Sequence, residues 1–559
     1  MRTDRHIWFA FLSVLPAAAC TATATPPVPS TALSVLASSE FYPPLTAASL
    51  TIDGSGLTGD LHDNHPQGHT MWLSAEGGGG SASNNPAGQS GPAWLLYTFN
   101  QPYDLDELWV WNHNQQNLTD RGLRRVAIHV SPDGISWAKW GDVQLTRAPG
   151  TPDYPPGDKI ALGGVRASRV LLTAAAVEGN YGSAYFGLSE VRFYGNPSPC
   201  FPSDYPVRLA SPAAPDTSMT LMLAPRAEGW LGSDVIHSIV LSTTQTLWLF
   251  GDTLIGRIEN GARAPGARFI NNSIAIQDRR RQPPDGMTFY WGPGDTSFFP
   301  HQSGTPGNLY WPTAGVMVNG GLFVFCYSVI SGLTLANTTL IHVNNPLDPP
   351  PLWQWNARDF GIDNSQMGFH SALYLDGDFL YMMGYDGTGA MVLGRMLAAD
   401  LAAGANSEAM QFWVQGPGGP HWGDSPADLV PLFRPSNTET QIQYLAEWGL
   451  YVTMIYNPFT PTIYLTVAPA LTGPWSEAAC IYDVPEHDLV SFDIISYAVR
   501  PHPELAAAPG ELVITYATNA LSGLGPLFTQ EGLQIYAPRV IRLRLEAGAD
   551  SGLTAWKVF

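Results

Sequence analysis

The chain has 559 residues, more than one ordinary domain holds, and only 13% of them are charged. Its formal net charge of −20 argues against a nucleic-acid partner, because a phosphate backbone is bound by clustered Lys and Arg. The abundance of Gly (56), Pro (48) and Trp (18) indicates many short strands joined by turns, and so predicts an all-β protein.

The first twenty residues have the pattern of an export signal. A basic start precedes an apolar stretch at residues 7–19, and a small-residue cleavage site ends at Cys20. The stretch is too short to span a membrane stably. Cys20 resembles the lipidated cysteine of bacterial lipoproteins, although Ala17 stands where leucine is usual; ordinary cleavage and release is the alternative. We expect a protein outside the cytoplasm: secreted, periplasmic, or held at the cell surface by a lipid on Cys20.

Three cysteines follow this signal, at Cys200, Cys326 and Cys480. An odd count cannot pair fully. Because Cys326 and Cys480 lie in apolar, strand-like runs, we predict that both are buried free thiols.

Two irregular segments divide the rest of the chain. Residues 21–38 form a Pro/Thr/Ala-rich linker, and residues 197–227 form a second linker that leads into the last region. Residues 39–196, between them, hold several strand-like runs and no helix of convincing length, which predicts a β-sandwich. These runs are AWLLYTF, ELWVWNHN, RVAIHVS, ASRVLLTAA and EVRFYG.

Six motifs occur in order along this unit: IDG at 52–54, WLLYTF at 94–99, LWVWNHN at 108–114, RGL at 121–123, VSPDGISW at 130–137 and GLSEVRFYG at 187–195. With them the unit resembles the discoidin, or coagulation factor 5/8 type C, family of galactose-binding-like sandwiches. The resemblance implies glycan binding through loops at one end. The implied sugar contacts are Trp111, Asn112, His113 and Arg121, with core packing as the alternative for Trp111.

The same resemblance implies a structural calcium ion near Asp53 and Glu190. Both side chains supply the oxygen ligands that a hard cation prefers. The alternative is that both carboxylates only cap turns.

Residues 228–559 repeat a unit of roughly 65 residues, each divisible into four short strands, which is typical of a β-propeller. In most units a turn centred on Gly or Asp joins the first two strands, as in Asn319-Gly320-Gly321. Five units fit this length, and TAWKVF at the end of the chain is the fourth strand of the fifth unit. We therefore predict an all-β protein with an N-terminal galactose-binding-like β-sandwich and a five-bladed β-propeller.

The first hairpin of the propeller, GSDVIHSIVLSTTQTLWLFGDT at 232–253, is apolar between two carboxylates. With its turn near Thr244, Asp234 and Asp252 lie diagonally across the strand pair, on one face, ~7 Å apart at the backbone. In a propeller blade both ends of this hairpin meet at one rim of the central channel. Such a pair suits glycoside hydrolysis, which needs one protonated and one ionised carboxyl group. The alternative is that the aspartates cap turns.

Further motifs connect this region with a known family. They are GSD at 232–234, Ser238-Ile239, LWLFGDT at 247–253, NSI at 272–274, GFHSA at 368–372, GPW at 473–475 and HP at 502–503. Over about residues 228–545 the chain looks like a bacterial five-bladed propeller family that includes endo-D-arabinanases, which cut mycobacterial arabinan. The resemblance implies Asp234 and Asp252 as catalytic acids and an arabinan as substrate. We expect no cofactor for catalysis.

Polar and aromatic groups that open the first strands of the other units are expected at the same rim. Glu439 is a third acid, acting as the partner of one aspartate or as a modulator of its pKa, with a solvated loop carboxylate as the alternative. The other groups are expected to contact substrate: His237, Tyr310, Trp311, His370, Tyr497, Arg500 and His502. Core packing is the alternative for Tyr310 and Trp311, and a satisfied channel histidine is the alternative for His370.

Two rival propeller classes lack their motifs here. A sialidase would repeat Ser-x-Asp-x-Gly-x-Thr-Trp turns, and the one similar run, SPDGISW, lies in the sandwich. An invertase-like enzyme would open with a Trp-Asn-Asp-Pro motif. We predict a secreted or surface-tethered glycoside hydrolase whose discoidin unit binds its polysaccharide. The alternative is a non-catalytic glycan-binding or adhesion protein.

Overall fold

The computed structural model describes residues 25–548 except 83, 133, 135–136, 199–200, 202–204 and 331–333. The export signal, Cys20, the start of the first linker and the TAWKVF run lie outside the described residues. Within them the chain forms two compact units that divide near residue 198, here called the sandwich unit and the propeller unit. In the described part of the chain, no helix is long and apolar enough to cross a membrane.

The described part of the sandwich unit has nine strands and three short 3₁₀ helices, at Ser30–Ala32, Ala48–Thr51 and Thr119–Arg121. The strands are β1 (Leu33–Ala37), β2 (Leu57–Thr58), β3 (Leu61–His62), β4 (Trp72–Leu73), β5 (Trp94–Asn112), β6 (Arg125–Ser131), β7 (Ala138–Gln144), β8 (Asp158–Ala174) and β9 (Gly187–Pro197). Their order is β4-β9-β5-β8-β6-β7, with β1 paired to β5, while β2 and β3 form a separate hairpin.

Strand β5 explains how these strands become two layers. Its first part pairs with β1 and its second part with β9, and its register against β8 shifts between Thr98 and Tyr103. Such irregularities bend a strand. Two of the predicted strands, AWLLYTF and ELWVWNHN, are thus halves of one strand. The alternating apolar residues of β5 and its neighbours fill one core, which includes Tyr97, Leu105 and Phe193.

The propeller unit consists mainly of four- and five-stranded antiparallel sheets. Its strands are β10 (Val207–Pro215), β11 (Glu228–Ser233), β12 (His237–Ser242), β13 (Gln245–Phe250), β14 (Thr253–Glu259), β15 (Ala262–Arg263), β16 (Arg268–Ile270), β17 (Ser273–Asp278), β18 (Met287–Tyr290), β19 (Leu309–Val318), β20 (Gly321–Ile330), β21 (Thr334–Val343), β22 (Trp355–Asp363), β23 (Gly368–Asp376), β24 (Phe379–Tyr385), β25 (Met391–Leu397), β26 (Gln411–Gly416), β27 (Gly419–Gly423), β28 (Ile442–Leu445), β29 (Leu450–Tyr456), β30 (Thr462–Ala468), β31 (Ala479–Asp483), β32 (Ile494–Pro501), β33 (Glu511–Ala520) and β34 (Arg539–Ala547).

Helices in this unit are short. They are α1 (Thr217–Met222), α2 (Ala398–Ala402) and α3 (Glu486–Leu489), with 3₁₀ turns at Pro350–Leu352, Ser407–Ala409, Pro503–Leu505, Gly525–Phe528 and Glu531–Gln534.

Five of the sheets are the blades, and they confirm the predicted five-bladed propeller. Blades one to four are β12-β13-β17-β18, β19-β20-β21-β22, β23-β24-β25-β26-β27 and β28-β29-β30-β31, and blade five is β32-β33-β34-β10. Each blade therefore begins at the strand that the sequence pattern placed first. Separate hydrophobic clusters lie within and between neighbouring blades.

The last blade is closed differently from the prediction. Its fourth strand is β10, which pairs antiparallel with β34, and which lies inside the segment 197–227 that the sequence suggested was a linker. The sequence VRLASPAAP hides this strand because it has two prolines and alternates poorly, which an edge strand tolerates. Both ends of the propeller unit are thus joined in one sheet.

Blade one has an extension that no other blade shows in the described residues. Strand β11 precedes β12 and pairs with β14, which follows β13, and β15 and β16 also pair with β14. The first hairpin of the propeller therefore continues beyond its blade into a second, smaller sheet.

The cysteine prediction is half right. Cys326 is a buried free thiol, but Cys480 is disulfide-bonded. An apolar strand environment does not distinguish the two states, because half-cystines are buried as readily as thiols.

Candidate active site

The two predicted acids lie where the hairpin of blade one passes into its small sheet. The ladders on either side pair Ser233 with Thr253 and His237 with Leu249. Three residues on each strand lie between these ladders, and counting from either one places Asp234 opposite Asp252. The predicted diagonal offset of two residues is wrong because the ladder that pairs His237 with Leu249 is centred on residue 243, one residue earlier than expected.

The backbone is strained directly after Asp234. Val235 and Ile236 have φ values of 67° and 53°, a region that β-branched residues rarely adopt. The amides of Ile236 and Gly251 both donate to the carbonyl oxygen of Asp234, at 2.9 and 3.2 Å. This turn ends the regular strand and separates Asp234 from the blade.

Strain of this kind is concentrated around the acids. Most non-glycine residues with positive φ in the described chain are Asn or Asp, which tolerate it; the others are Glu178, Val235, Ile236, Ala498 and Tyr536. Ala498 follows Tyr497, which contacts Asp234, and Tyr536 contacts Asp252. Each such residue costs about 1–3 kcal/mol, and such residues cluster at functional sites.

Asp234 is half-buried and has the environment of a protonated acid. The Tyr497 hydroxyl donates to its Oδ2 at 2.8 Å, and Gly251 lies so close that an added Cβ would meet Asp234 Oδ1 at 2.4 Å. Burial raises the pKa of Asp234 well above its ordinary value, and the charges of Asp252 and Glu439 raise it further.

Asp252 is also half-buried, but its carboxylate has two N–H donors. Asn271 Nδ2 and Trp311 Nε1 donate to Asp252 Oδ1 at 3.1 and 2.7 Å. Burial raises the pKa of Asp252 to about 6, and these two donors oppose that rise because they stabilise the ionised form. Asp252 therefore has the donors that stabilise an ionised carboxylate, whereas the surroundings of Asp234 favour the protonated form.

Glu439 is the third carboxylate of the cluster. Burial raises its pKa, the guanidinium of Arg500 partly opposes this, and its charge acts on Asp234. The structure thus brings together the three acids that the sequence singled out.

Arg500 does not face a substrate. Its side chain is fully buried, and it donates to the carbonyl oxygens of Val235, Thr313, Ser371 and Thr440. These acceptors belong to the inner edges of blades one to four, so this arginine of blade five fills the centre of the propeller. The prediction that it binds sugar hydroxyls is wrong because its donors are used inside the protein.

Three histidines predicted at the rim are also internal. His237 bonds to Gly315 O and to Arg500, His370 to Thr313 and Asn364, and His502 to Ser238 and Thr515. Burial lowers the pKa of all three, to about 3 for His370 and His502. Each is a neutral ring whose hydrogen bonds join strands. For His370 this agrees with the alternative of a channel histidine whose hydrogen bonds are satisfied within the protein.

The aromatic predictions divide into two groups. Trp311 and Tyr497 are half-buried and bond to Asp252 and Asp234, so they touch the acids as hydrogen-bond donors. Tyr310 is buried and packs against His301, with ring centroids 4.4 Å apart and ring planes tilted by 34°. It packs inside blade two, which agrees with the alternative of core packing for this residue.

Two residues of the site were missed in the sequence. Asn271 stands directly after β16 and two residues before β17, at the end of blade one that also carries Asp252, and it adjoins the NSI motif. That position was a usable signal. Tyr536, whose hydroxyl donates to the Asp252 carbonyl oxygen at 2.9 Å, comes from the loop between β33 and β34 and had no signal in the sequence.

The sandwich unit buries most of its predicted sugar contacts. Trp111, Asn112 and His113 are fully buried, and Asn112 Nδ2 donates to the carbonyl oxygens of Leu123 and Thr146 at 2.7 and 2.9 Å. Trp111 Nε1 donates to Asp60 O at 3.0 Å. These three predictions are wrong because the side chains hold loops together from inside.

Arg121 remains at the surface of this unit, beside aromatic side chains. Its guanidinium lies 5.4 Å from the ring centre of Tyr185, which packs edge-on against Phe41 at 5.4 Å. Phe41 and Tyr42 are 54% and 61% exposed. We call Phe41, Tyr42, Arg121 and Tyr185 the aromatic surface.

The two predicted calcium ligands of the sandwich unit lie near each other. Glu190 is buried, and its Oε2 has no hydrogen-bond partner. Burial and the charge of Asp53 raise the pKa of Glu190 to about 8. An orphaned carboxylate oxygen beside a second carboxylate suits a hard cation. Among the described residues, no group of three His, Cys, Asp or Glu side chains has a metal-binding arrangement.

Comparison with known proteins places the propeller unit in a family. A family model described as a domain of unknown function (DUF5005) matches residues 222–546, more than half of the chain. No curated protein matches the chain.

Among solved structures, one described as "a putative hydrolase from Bacteroides ovatus ATCC 8483" has a TM-score of 0.50 and 17% identity, and covers 62% of this chain and 93% of that chain. At this identity the likeness shows the fold alone. Two smaller structures each cover 31% of this chain and 99% of their own, at 15% identity: the family 32 carbohydrate-binding module of Clostridium perfringens NanJ with galactose (TM-score 0.21), and the C-terminal domain of a Bacteroides fragilis chitobiase (0.23).

Proposed function

We propose that this chain, which belongs to the DUF5005 family, is a glycoside hydrolase that cuts a polysaccharide with Asp234 and Asp252, here called the acid pair. One observation carries the proposal: Asp234 and Asp252, both half-buried, stand opposite each other where β11 passes into β12 and β13 into β14, and their surroundings favour different protonation states. Glycoside hydrolysis needs such a pair, in which one group donates a proton and the other is ionised.

Asp234 is the proposed general acid. It keeps its proton because it is buried beside two other carboxylates, and the Tyr497 hydroxyl fixes its orientation. In the reaction the Asp234 carboxyl group gives its proton to the glycosidic oxygen as the bond from that oxygen to the anomeric carbon breaks. The leaving sugar departs as a neutral alcohol.

Asp252 is the proposed ionised partner. Asn271 and Trp311 hold its Oδ1 and leave Oδ2 for the substrate side. This oxygen either takes a proton from the attacking water or attacks the anomeric carbon itself, which are the inverting and retaining courses. Glu439 modulates the pKa of Asp234 through its charge, and it is the reserve candidate for either role.

An arabinan is the proposed substrate, on the basis of the motifs shared with the endo-D-arabinanase family. The sandwich unit is proposed to bind the same polysaccharide through the aromatic surface, because exposed rings stack on sugar faces and Arg121 can donate to hydroxyl groups. A calcium ion held by Asp53 and Glu190 would stabilise this unit, since it would provide a partner for the orphaned Glu190 oxygen.

The proposed location is outside the cytoplasm, after removal of the export signal, with Cys20 as the proposed site of a lipid anchor. The disulfide at Cys480 supports this location, because such bonds persist in oxidising compartments.

A panel of polysaccharides, including arabinogalactan and lipoarabinomannan, tests the proposal with wild type, Asp234→Asn and Asp252→Asn. The matched control is Asp376→Asn, an exposed aspartate in the β23–β24 turn. We expect wild type and the control to release reducing ends from at least one polysaccharide, and the two site variants to release almost none. If wild type binds these glycans but cuts none, the protein is a glycan-binding or adhesion protein instead. Full activity in both site variants would show that the protein is a hydrolase but that Asp234 and Asp252 are not its catalytic acids.

A further inference from the structure

Two buried arginines lie behind the acid pair, and each binds several backbone carbonyl groups. Arg500 of β32 donates through Nε to Val235 O at 2.7 Å and through Nη2 to Thr313 O at 2.7 Å, and its Nη1 reaches the carbonyls of Ser371 and Thr440. Five N–H groups in a fixed plane allow one guanidinium to join this many strands.

Arg263 of β15 also joins several segments through backbone carbonyls. Its Nε donates to Leu231 O at 3.1 Å, and its Nη atoms donate to four carbonyls between β33 and β34. These acceptors are the oxygens of Leu527, Gly532, Ile535 and Tyr536, at 3.0, 2.6, 2.9 and 3.3 Å.

Both arginines bind the carbonyl of a strained residue that adjoins an acid. Val235, bound by Arg500, has a φ of 67° and directly follows Asp234. Tyr536, bound by Arg263, has a φ of 57°, and its hydroxyl holds the Asp252 carbonyl. A positive φ in such residues persists only where the surroundings enforce it, and the guanidinium bonds are among the interactions that hold these two segments.

We propose that Arg500 and Arg263 are positioning residues, which hold the two strained segments so that Asp234 and Asp252 face each other across the strand pair. This inference rests on the proposed function, and it assigns neither arginine a contact with substrate. Without Arg500 the carbonyl of Val235 would be buried without a partner, and the turn could relax toward a regular strand and carry Asp234 with it.

Arg500 also acts on the third acid. Glu439 faces Arg500, Asp234, Tyr456, Tyr497 and Tyr327. Because Arg500 is the cation among these groups, its charge lowers the pKa of Glu439, and its removal allows Glu439 to keep a proton to higher pH.

The test replaces each arginine by lysine, which keeps the charge but cannot donate to four or five separate carbonyl groups at once. The matched control is Arg358→Lys, because Arg358 in blade two also donates to a backbone carbonyl, that of Ala405, away from the acid pair. On the polysaccharide that wild type cuts, we expect Arg500→Lys and Arg263→Lys to lower kcat about 100-fold with KM unchanged, since small displacements of reacting groups have such costs. Arg358→Lys should keep the wild-type kcat. Folded lysine variants with wild-type kcat would overturn the proposal.

A second variant separates positioning from a general loss of stability. Val235→Gly removes the strain that Arg500 opposes, because glycine adopts positive φ freely. We expect Val235→Gly to restore kcat about tenfold in the Arg500→Lys background, because the turn then no longer depends on the guanidinium. If the double variant is no better than Arg500→Lys, Arg500 is only a structural residue.

Hydrogen exchange tests the positioning role without any substrate. In Arg500→Lys the amides of residues 234–237 should exchange at least about tenfold faster, and in Arg263→Lys those of residues 535–537, while Arg358→Lys changes neither segment. If wild type cuts no glycan but these segments loosen selectively, the proposed function fails and the positioning role stands. Unchanged exchange in folded lysine variants refutes the positioning role, whatever the activity.

Discussion

The sandwich unit and the propeller unit both carry polar residues in apolar strands, yet they use them differently. In the sandwich, Asn112 is fully buried, and two backbone carbonyls take up its amide hydrogens. In the propeller, Asp234 and Asp252 are half-buried and have fewer donors than their oxygens could accept. A polar residue whose partners are all backbone groups stabilises the fold, whereas one that keeps free capacity at the surface can act on a ligand.

This comparison extends to the arginines within the propeller unit. Arg500 and Arg263 resemble Asn112 because they satisfy buried carbonyls. They differ because one of the carbonyls that each arginine holds belongs to a strained residue beside the acid pair. Whether a buried polar residue is structural or functional therefore depends on whether the backbone that it binds positions a residue of the site.

The largest expected effect is on the general acid. Asp234→Asn should lower kcat on a polysaccharide by about 10²–10⁴-fold, because it can no longer give a proton to the leaving oxygen. On an aryl glycoside with an acidic leaving group the loss should be under about tenfold, since that group departs without a proton. Steady-state kinetics on both substrates measures this, with Asp252→Asn as the comparison, which should be poor on both. Equal losses for Asp234→Asn on the two substrates would contradict its role.

A smaller effect is expected in the sandwich unit. Asn112→Ala should destabilise this unit by about 2 kcal/mol, because the buried carbonyl of Leu123 loses its partner and the bond to Thr146 is lost with it. Calorimetry measures the change, and cleavage of a short soluble substrate should stay at the wild-type rate. A variant of unchanged stability with weaker sugar binding would restore the original prediction for Asn112.

Substitutions in the aromatic surface should weaken glycan binding and leave the stability of the sandwich unit unchanged. Arg121→Ala and Tyr185→Ala are expected to weaken glycan binding about tenfold, because one stacking or donor group is worth about 1–2 kcal/mol. Val177→Ala is the matched control, since Val177 is 73% exposed and apolar. Isothermal titration with the polysaccharide that wild type binds gives the affinities. Equal affinity in all three variants would place the sugar elsewhere.

The smallest effect concerns pH. Because Asp252 must be ionised and its pKa is raised to about 6, kcat/KM should rise with pH through that region and fall as pH drops below it. Trp311→Phe removes an N–H donor that stabilises the carboxylate, so the acidic limb should move to higher pH by about half a unit. A pH profile of wild type and variant measures this. A limb that moves to lower pH would contradict the assigned hydrogen bond.

The five blades could be predicted because each repeats a pattern of strands and turns that local residues determine. The closing strand β10 could not, because VRLASPAAP acquires its pairing only from β34, at the far end of the unit. The acids were identified from their spacing, but a one-residue error in the turn displaced their register by two.

The sequence pattern could not predict how deeply each polar residue is buried. Arg500, His237 and His502 stand at strand positions equivalent to those of rim residues, yet the centre of the propeller closes over them. Which carbonyls need a donor there depends on the strained turns, and those turns are a property of the assembled ring. The sequence therefore shows which residues are unusual, and the packing determines which of them meet solvent.

A carboxyl carbon-13 titration tests the account most directly, with the Asp234 signal identified by its loss in Asp234→Asn. The account predicts that Asp234 keeps its proton to higher pH than Asp252, and that its pKa falls in Asp252→Asn because a neighbouring negative charge is removed. An Asp234 that titrates near the ordinary value of 3.8 in both proteins would contradict the acid pair.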